Sequence, residues 1–296
     1  MAIKFGQIEQ DEACSYEREL IAQFVSETEN HGDPVHVARA IAMQAEVLGR
    51  LGMFEGALEV FEKLREFYVP ILYSRKLCQA YGSDRAAQCF GLAAIWLMAL
   101  GQQEKALQSC QFVISQLIPQ MDERNVHNTC LILYPILWVY KEYGYAARAR
   151  QIFDCCVVQK FHNHYAEGAT TACLPIYEPI LILLDLAAGE VENETFQEYL
   201  HWAHDEENLR FGSGMNNAMG YCGRCPDSIS AEICLLLAKG LEPGEDQLHL
   251  IQFGLDIILE VVSLTQKQKM IVALNQVLPV YKQLMALANG LIRDKD

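Results

Sequence analysis

A glycine with the same neighbours on either side recurs along this chain, and that recurrence limits the possible folds more than any other feature. Leu48, Gly52, Ala57 and Phe61 stand at −4, 0, +5 and +9 about the first such glycine. Leu97, Gly101, Ala106 and Cys110 repeat the spacing, and Tyr140, Gly144, Ala149 and Phe153 repeat it again. Glycine leaves a helix most readily through a left-handed backbone, and a small residue shortly afterwards lets two helices approach closely. Gly189 and Gly240 mark fourth and fifth turns, although Glu194 and Glu245 there occupy the +5 position. The five glycines lie 49, 43, 45 and 51 residues apart, uneven for a strict repeat.

The stretch 82–117 makes the unit plain. Ala106, Cys110, Val113 and Leu117 fall on one face of a 3.6-residue helix, while Gln103, Glu104, Lys105, Gln108 and Gln111 keep the other face wet. The preceding helix is apolar nearly all round from Phe90 to Leu100, which it tolerates only if neighbours cover it. Neither helix can bury its stripe alone. The expected fold is therefore all-α: a right-handed α-solenoid of about five antiparallel helix pairs with terminal capping helices, one continuous array over 1–296. Its units are read as about 35–67, 83–117, 124–160, 171–204 and 227–260. An N-terminal helix is expected over 11–29 and a C-terminal capping helix over 266–292, with Thr265 and Gln268 as its capping box. Asp33 and Pro34 open the first unit as N-cap and first-turn proline. Pro70 and YSRKLCQAYGSD read as a connector, and Pro135 as a kink in the third unit.

These segments, LGRLGMFEGALEVF (48–61), LMALGQQEKALQSC (97–110) and VYKEYGYAARARQIF (139–153), resemble the tetratricopeptide repeat. The units here exceed the usual length of about 34 residues, and the early tryptophan of that family is absent. YGSDRAAQCFGLAAIWLMALGQQEKAL is also similar to helical repeats that follow the ATPase module of cyclase- and kinase-linked signalling proteins. The resemblance implies a scaffold that binds a protein or peptide, including upstream domains of a larger polypeptide, and no cofactor. It also implies a concave strip lined by the first helix of each unit: Ala42 and Glu46, then Gly91, Ile95 and Met98, then Tyr134, Trp138 and Lys141, then Ile176. Tyr134 and Trp138 are the expected anchors for a partner helix or extended peptide. The competing account is that these side chains pack between units. A carboxylate clamp of the chaperone-binding kind is not expected, because Lys141 and Asn128 alone supply its residue types.

Charge narrows the partner class. The net charge of −15 leaves no basic stripe for nucleic acid and disfavours anionic lipid. CLILYPILWVY and PILILLDLAAG are shorter than the ~20 residues of a membrane span, and no apolar core follows Lys4 to make a signal peptide. Eleven cysteines, several inside helical stripes, read as small core residues of a reducing, cytoplasmic protein.

No catalytic constellation is visible, and the chain is read as a non-enzyme without a metal site. The sharpest local motif is Cys222-Gly223-Arg224-Cys225-Pro226, within the glycine- and asparagine-rich segment 210–228. A thiol at a helix N-terminus with a second thiol three residues away could cycle as a disulfide. The same pair could hold zinc with His162, His164, His201 or His204. The sequence supplies neither a βαβ context nor a second pair at ligand spacing, so a thiol-redox or zinc-binding module is the alternative reading.

Overall fold

The computed structural model describes residues 19, 22–28, 30, 32–121, 126–159, 174–189, 191–205, 226–268 and 271–293. Among these residues the regular structure is helix and no strand occurs, so the chain is all-α. It divides into two compact units, Met1–Tyr143 with Gln151–Thr170, and Gly144–Arg150 with Thr171–Asp296.

The first unit contains α1 (Pro34–Arg50), α2 (Phe54–Phe67), α3 (Pro70–Tyr81), α4 (Arg85–Ala99), α5 (Gln103–Phe112) and α6 (Val126–Glu142). The repeated glycines form the turns that the spacing requires. Gly52 and Gly101 adopt φ of 76° and 71°. In the first turn Met53 N–H donates to the Leu48 carbonyl at 2.9 Å, and in the second Gln102 N–H donates to that of Leu97 at 2.9 Å. Both bonds reach five residues back, the Schellman closure that satisfies carbonyls at a helix end. Ala57, Phe61, Ala106 and Cys110, the +5 and +9 residues, are all buried.

Every residue of α4 from Cys89 to Trp96 is buried, because α4 packs against α1, α2, α5 and α6. Small residues permit the closest of these approaches. A Cβ at Gly91 would lie 2.8 Å from the Ile132 carbonyl oxygen and 3.2 Å from Cγ of Pro135. Pro135 is thus held within α6, its ring set against a residue with no side chain.

The connector after Pro70 is in fact α3, with proline in its first turn and Gly82, φ 77°, as its left-handed cap. A buried polar junction ties its end to the next helix. The Asp84 carboxylate accepts from the Ala87 N–H at 2.9 Å and from the Tyr68 hydroxyl, and the Asp84 N–H donates to Asn128 Oδ1 at 3.0 Å. Burial raises the Asp84 carboxyl above its ordinary range and the Tyr68 hydroxyl above its own.

α7 (Ala146–Phe153) contains the boundary between the units. Both α5 and α7 run on into π-helical turns, Val113–Leu117 and Asp154–Gln159. Gly144 and Gly189 also take positive φ, 81° and 73°.

The second unit contains α8 (Leu174–Ala188), α9 (Asn193–His204), α10 (Pro226–Gly240), α11 (Glu245–Gln268) and α12 (Ile271–Arg293). α10 is its centre, packing on α8, α9, α11 and α12. Asp185 accepts from Tyr199 Oη at 2.7 Å and from Arg150 Nη1 at 3.2 Å. Gln247 donates to the carbonyls of Ala238 and Leu241 at 2.9 and 3.3 Å, which caps α10 from the following helix.

Two sequence expectations are corrected in this unit. Gly240 is no left-handed turn residue: it ends α10, and a Cβ there would sit 2.7 Å from Cζ of Phe196. Thr265 and Gln268 do not begin the final helix, because α11 continues through both and α12 starts at Ile271. No helix among the described residues is long and apolar enough to cross a membrane.

Candidate functional site

The concave strip expected from the first helices lies mostly inside the protein. Tyr134 is 4% exposed and Trp138 1%, and Ala42, Gly91 and Ile95 are also buried. Met98 is half-buried. The reason is coverage: α1, α2, α5 and α6 all pack on α4, and α6 packs on α5 as well. Tyr134 and Trp138 therefore offer no surface to a partner in this structure, which corrects their reading as anchors. The Lys141 ammonium lies 4.1 Å from the centre of the Trp138 ring and 3.0 Å from Glu142 Oε1. Ile176 lies in α8, its side chain outside the described residues.

Glu46 is interior too. Arg85 Nη1 donates to its Oε2 at 2.8 Å, while Oε1 takes no hydrogen bond among the described residues. Burial raises the Glu46 carboxyl above its ordinary range, opposed by Arg85, Arg50 and Arg39. This is an ion pair between α1 and α4, made across 39 residues of sequence.

Cys222 and Cys225, with His162 and His164, lie outside the described residues. His204 stacks on His249 with centroids 5.5 Å apart, and its Nε2 is 3.9 Å from Asp246 Oδ1. No cluster of three potential ligands able to hold a metal occurs among the described residues.

An open surface lies between α2 and α5, above α4. Both helices pack on α4, and the space between them is a groove of about 780 Å³, a size typical of sites that receive side chains or small ligands. Phe61, Phe90, Leu97 and Leu100 contribute its apolar surface. Phe61 meets Phe90 edge-on at 4.9 Å, and Phe90 stacks on Phe112 at 5.8 Å with 19° between the rings. Phe112 is 44% exposed, so this aromatic row runs from the core out to the solvent edge. Its position breaks the amphipathic rule of α5, because it lies seven, four and three residues after Lys105, Gln108 and Ser109 on the polar face.

The two walls differ in charge. α2 contributes Glu55, Glu59 and Glu62 together with Arg65, which holds Glu62 at 2.6 Å. α5 contributes Lys105, Gln108 and Ser109. An aromatic floor between charged rims can receive apolar side chains, while charged groups flanking them on the same segment would be oriented by the rims. Sequence reasoning placed Phe61 within the repeat but missed the groove, for which the off-stripe Phe112 was the available signal.

Compared with protein-family models, with curated proteins and with solved structures, the chain matches none.

Proposed function

We propose that this chain is a non-catalytic scaffold of tetratricopeptide-like helix pairs, stacked as a solenoid, that binds a helical segment of a partner protein. Its place, on the sequence resemblance, is the regulatory tail of a larger signalling ATPase. The groove between α2 and α5 is the docking surface in this reading, in place of the first-helix strip. The observation that carries it is Phe112: a large aromatic half in solvent, stacked on the buried Phe90 at the edge of an open apolar groove. An aromatic so placed gains buried area when a helix lies across it.

A photo-crosslinking amino acid at Gln108, on the groove rim, tests the reading, with one at Glu242 in the second unit as control. Partner adducts formed at Gln108, absent at Glu242 and lost when Phe112→Asp is added, support it. Equal labelling at both positions removes the groove assignment.

A further inference from the structure

The groove's walls select the chemistry of its occupant. Glu55 and Glu59 stand one helical turn apart on α2, both exposed, and neither has an ion pair among the described residues. Their backbones are separated by about 6 Å along the axis, the spacing of residues i and i+4 on a helix lying alongside. Glu62, next on that wall, is engaged by Arg65. The facing wall carries Lys105 beside the neutral Gln108 and Ser109. The groove is therefore acidic along one edge, apolar and aromatic at its base, and mildly basic or neutral along the other.

We infer that its occupant is a basic amphipathic helix, with apolar residues at i, i+3, i+4 and i+7 and, on the neighbouring edge that faces Glu55 and Glu59, lysine or arginine at two other positions four residues apart. α2 is 14 residues long, which gives the partner about 20 Å of wall to follow. The charge difference between the walls fixes how the partner helix is rotated. The net charge of −15 adds long-range attraction for a basic segment and repels a second copy of the chain. The N-terminal residues 1–18, with four acidic side chains against Lys4 and Arg18, are disfavoured as an occupant on the same ground.

The inference rests on the groove being a docking surface, and the test separates the two claims. A fluorescent amphipathic peptide with leucine at the apolar positions and lysine along one edge is titrated with the whole chain, beside a twin bearing glutamate for lysine. The lysine peptide is expected to bind saturably, about tenfold or more tighter than its twin, and to weaken with salt. Phe112→Ala should abolish binding of the lysine peptide. The double variant Glu55→Gln, Glu59→Gln, whose changes lie at the exposed surface, should erase the preference between the twins. A double variant Glu242→Gln, Glu245→Gln, remote in sequence, should leave it intact.

Equal binding of both twins that Phe112→Ala abolishes would overturn the basic partner and leave the docking surface standing. Binding of the lysine peptide that Phe112→Ala does not touch marks general attraction to an acidic protein and overturns the inference. Dimerisation lost on Phe112→Ala, read by sedimentation, overturns it in favour of a second copy. No saturable binding of either twin overturns both claims.

Discussion

Gly49 of α1 faces the indole of Trp96 on α4 so closely that a Cβ on Gly49 would lie 2.8 Å from Cζ2 and nearer still to Nε1. The indole occupies the space that any other residue would need. Ala38, Ala42 and Ala45 continue the same buried stripe of small residues along α1. Gly49→Ala should destabilise the protein by roughly 1–3 kcal/mol, the usual cost of overpacking, seen as a lower denaturation midpoint in urea. Trp96→Phe should recover part of that loss in the Gly49→Ala background while costing stability alone. Two effects that simply add would disprove the steric contact.

Asp84 caps α4 and also satisfies Tyr68. Asp84→Ala removes both acceptors in a buried setting and should cost about 2–4 kcal/mol. Asp84→Asn keeps a capping oxygen and should cost less.

The two carboxylate states of Asp84 also predict a pH dependence. Burial raises its folded pKa above the unfolded value of about 3.9. The native state therefore binds the extra proton between those values, and the stabilisation from this group is complete below the unfolded pKa and declines as pH rises through the folded one. Asp84→Asn should remove that decline, so the variant gains on wild type as pH rises across the window. Parallel stability profiles for the two proteins would contradict the assignment.

Glu46 and Arg85 form an ion pair in which the arginine side chain is 19% exposed and the glutamate is buried. Glu46→Ala removes the carboxylate from a largely buried guanidinium and should cost about 3–5 kcal/mol. Replacing the pair together, Glu46→Leu with Arg85→Met, should be close to neutral or better than wild type. Thermal melts of the two variants distinguish a specific ion pair from a structural role of either residue alone.

Cysteine reactivity should divide by burial. Burial pushes the thiols of Cys110 and Cys234 up to about 12, and that of Cys89 well above its ordinary value. Cys155 is exposed. Alkylation of the native protein near neutral pH, read cysteine by cysteine by mass spectrometry, should modify Cys155 long before those three. Comparable rates at Cys110 and Cys155 would mean that the first unit opens readily in solution.

The all-helical class and the glycine turns at Gly52 and Gly101 were legible in the sequence because glycine geometry and side-chain size act locally. The offsets of Ala57, Phe61, Ala106 and Cys110 from their glycines identified buried positions without knowledge of any partner. α3 was missed because it has almost no buried stripe: Ser74 and Leu77 are interior, while Ile71 and Leu72 face solvent. The 49-residue step from Gly52 to Gly101, against 43 for the next, was the trace it left. Tyr134 and Trp138 were misplaced because periodicity identifies an apolar face but does not say how many neighbours cover it. The final capping box failed similarly, since a threonine and a glutamine three residues apart also fit inside a continuing helix. Nothing local could join Glu46 to Arg85.

Asp84 is held from both sides: its side chain by the hydroxyl of Tyr68 and the amide of Ala87, its own amide by Asn128. Those groups sit just after α2, within α4 and within α6. A tug on any of these strands of chain is transmitted to the other two through a single side chain and its peptide. When the first unit is stretched, α2, α4 and α6 should therefore part at a common threshold, not one after another.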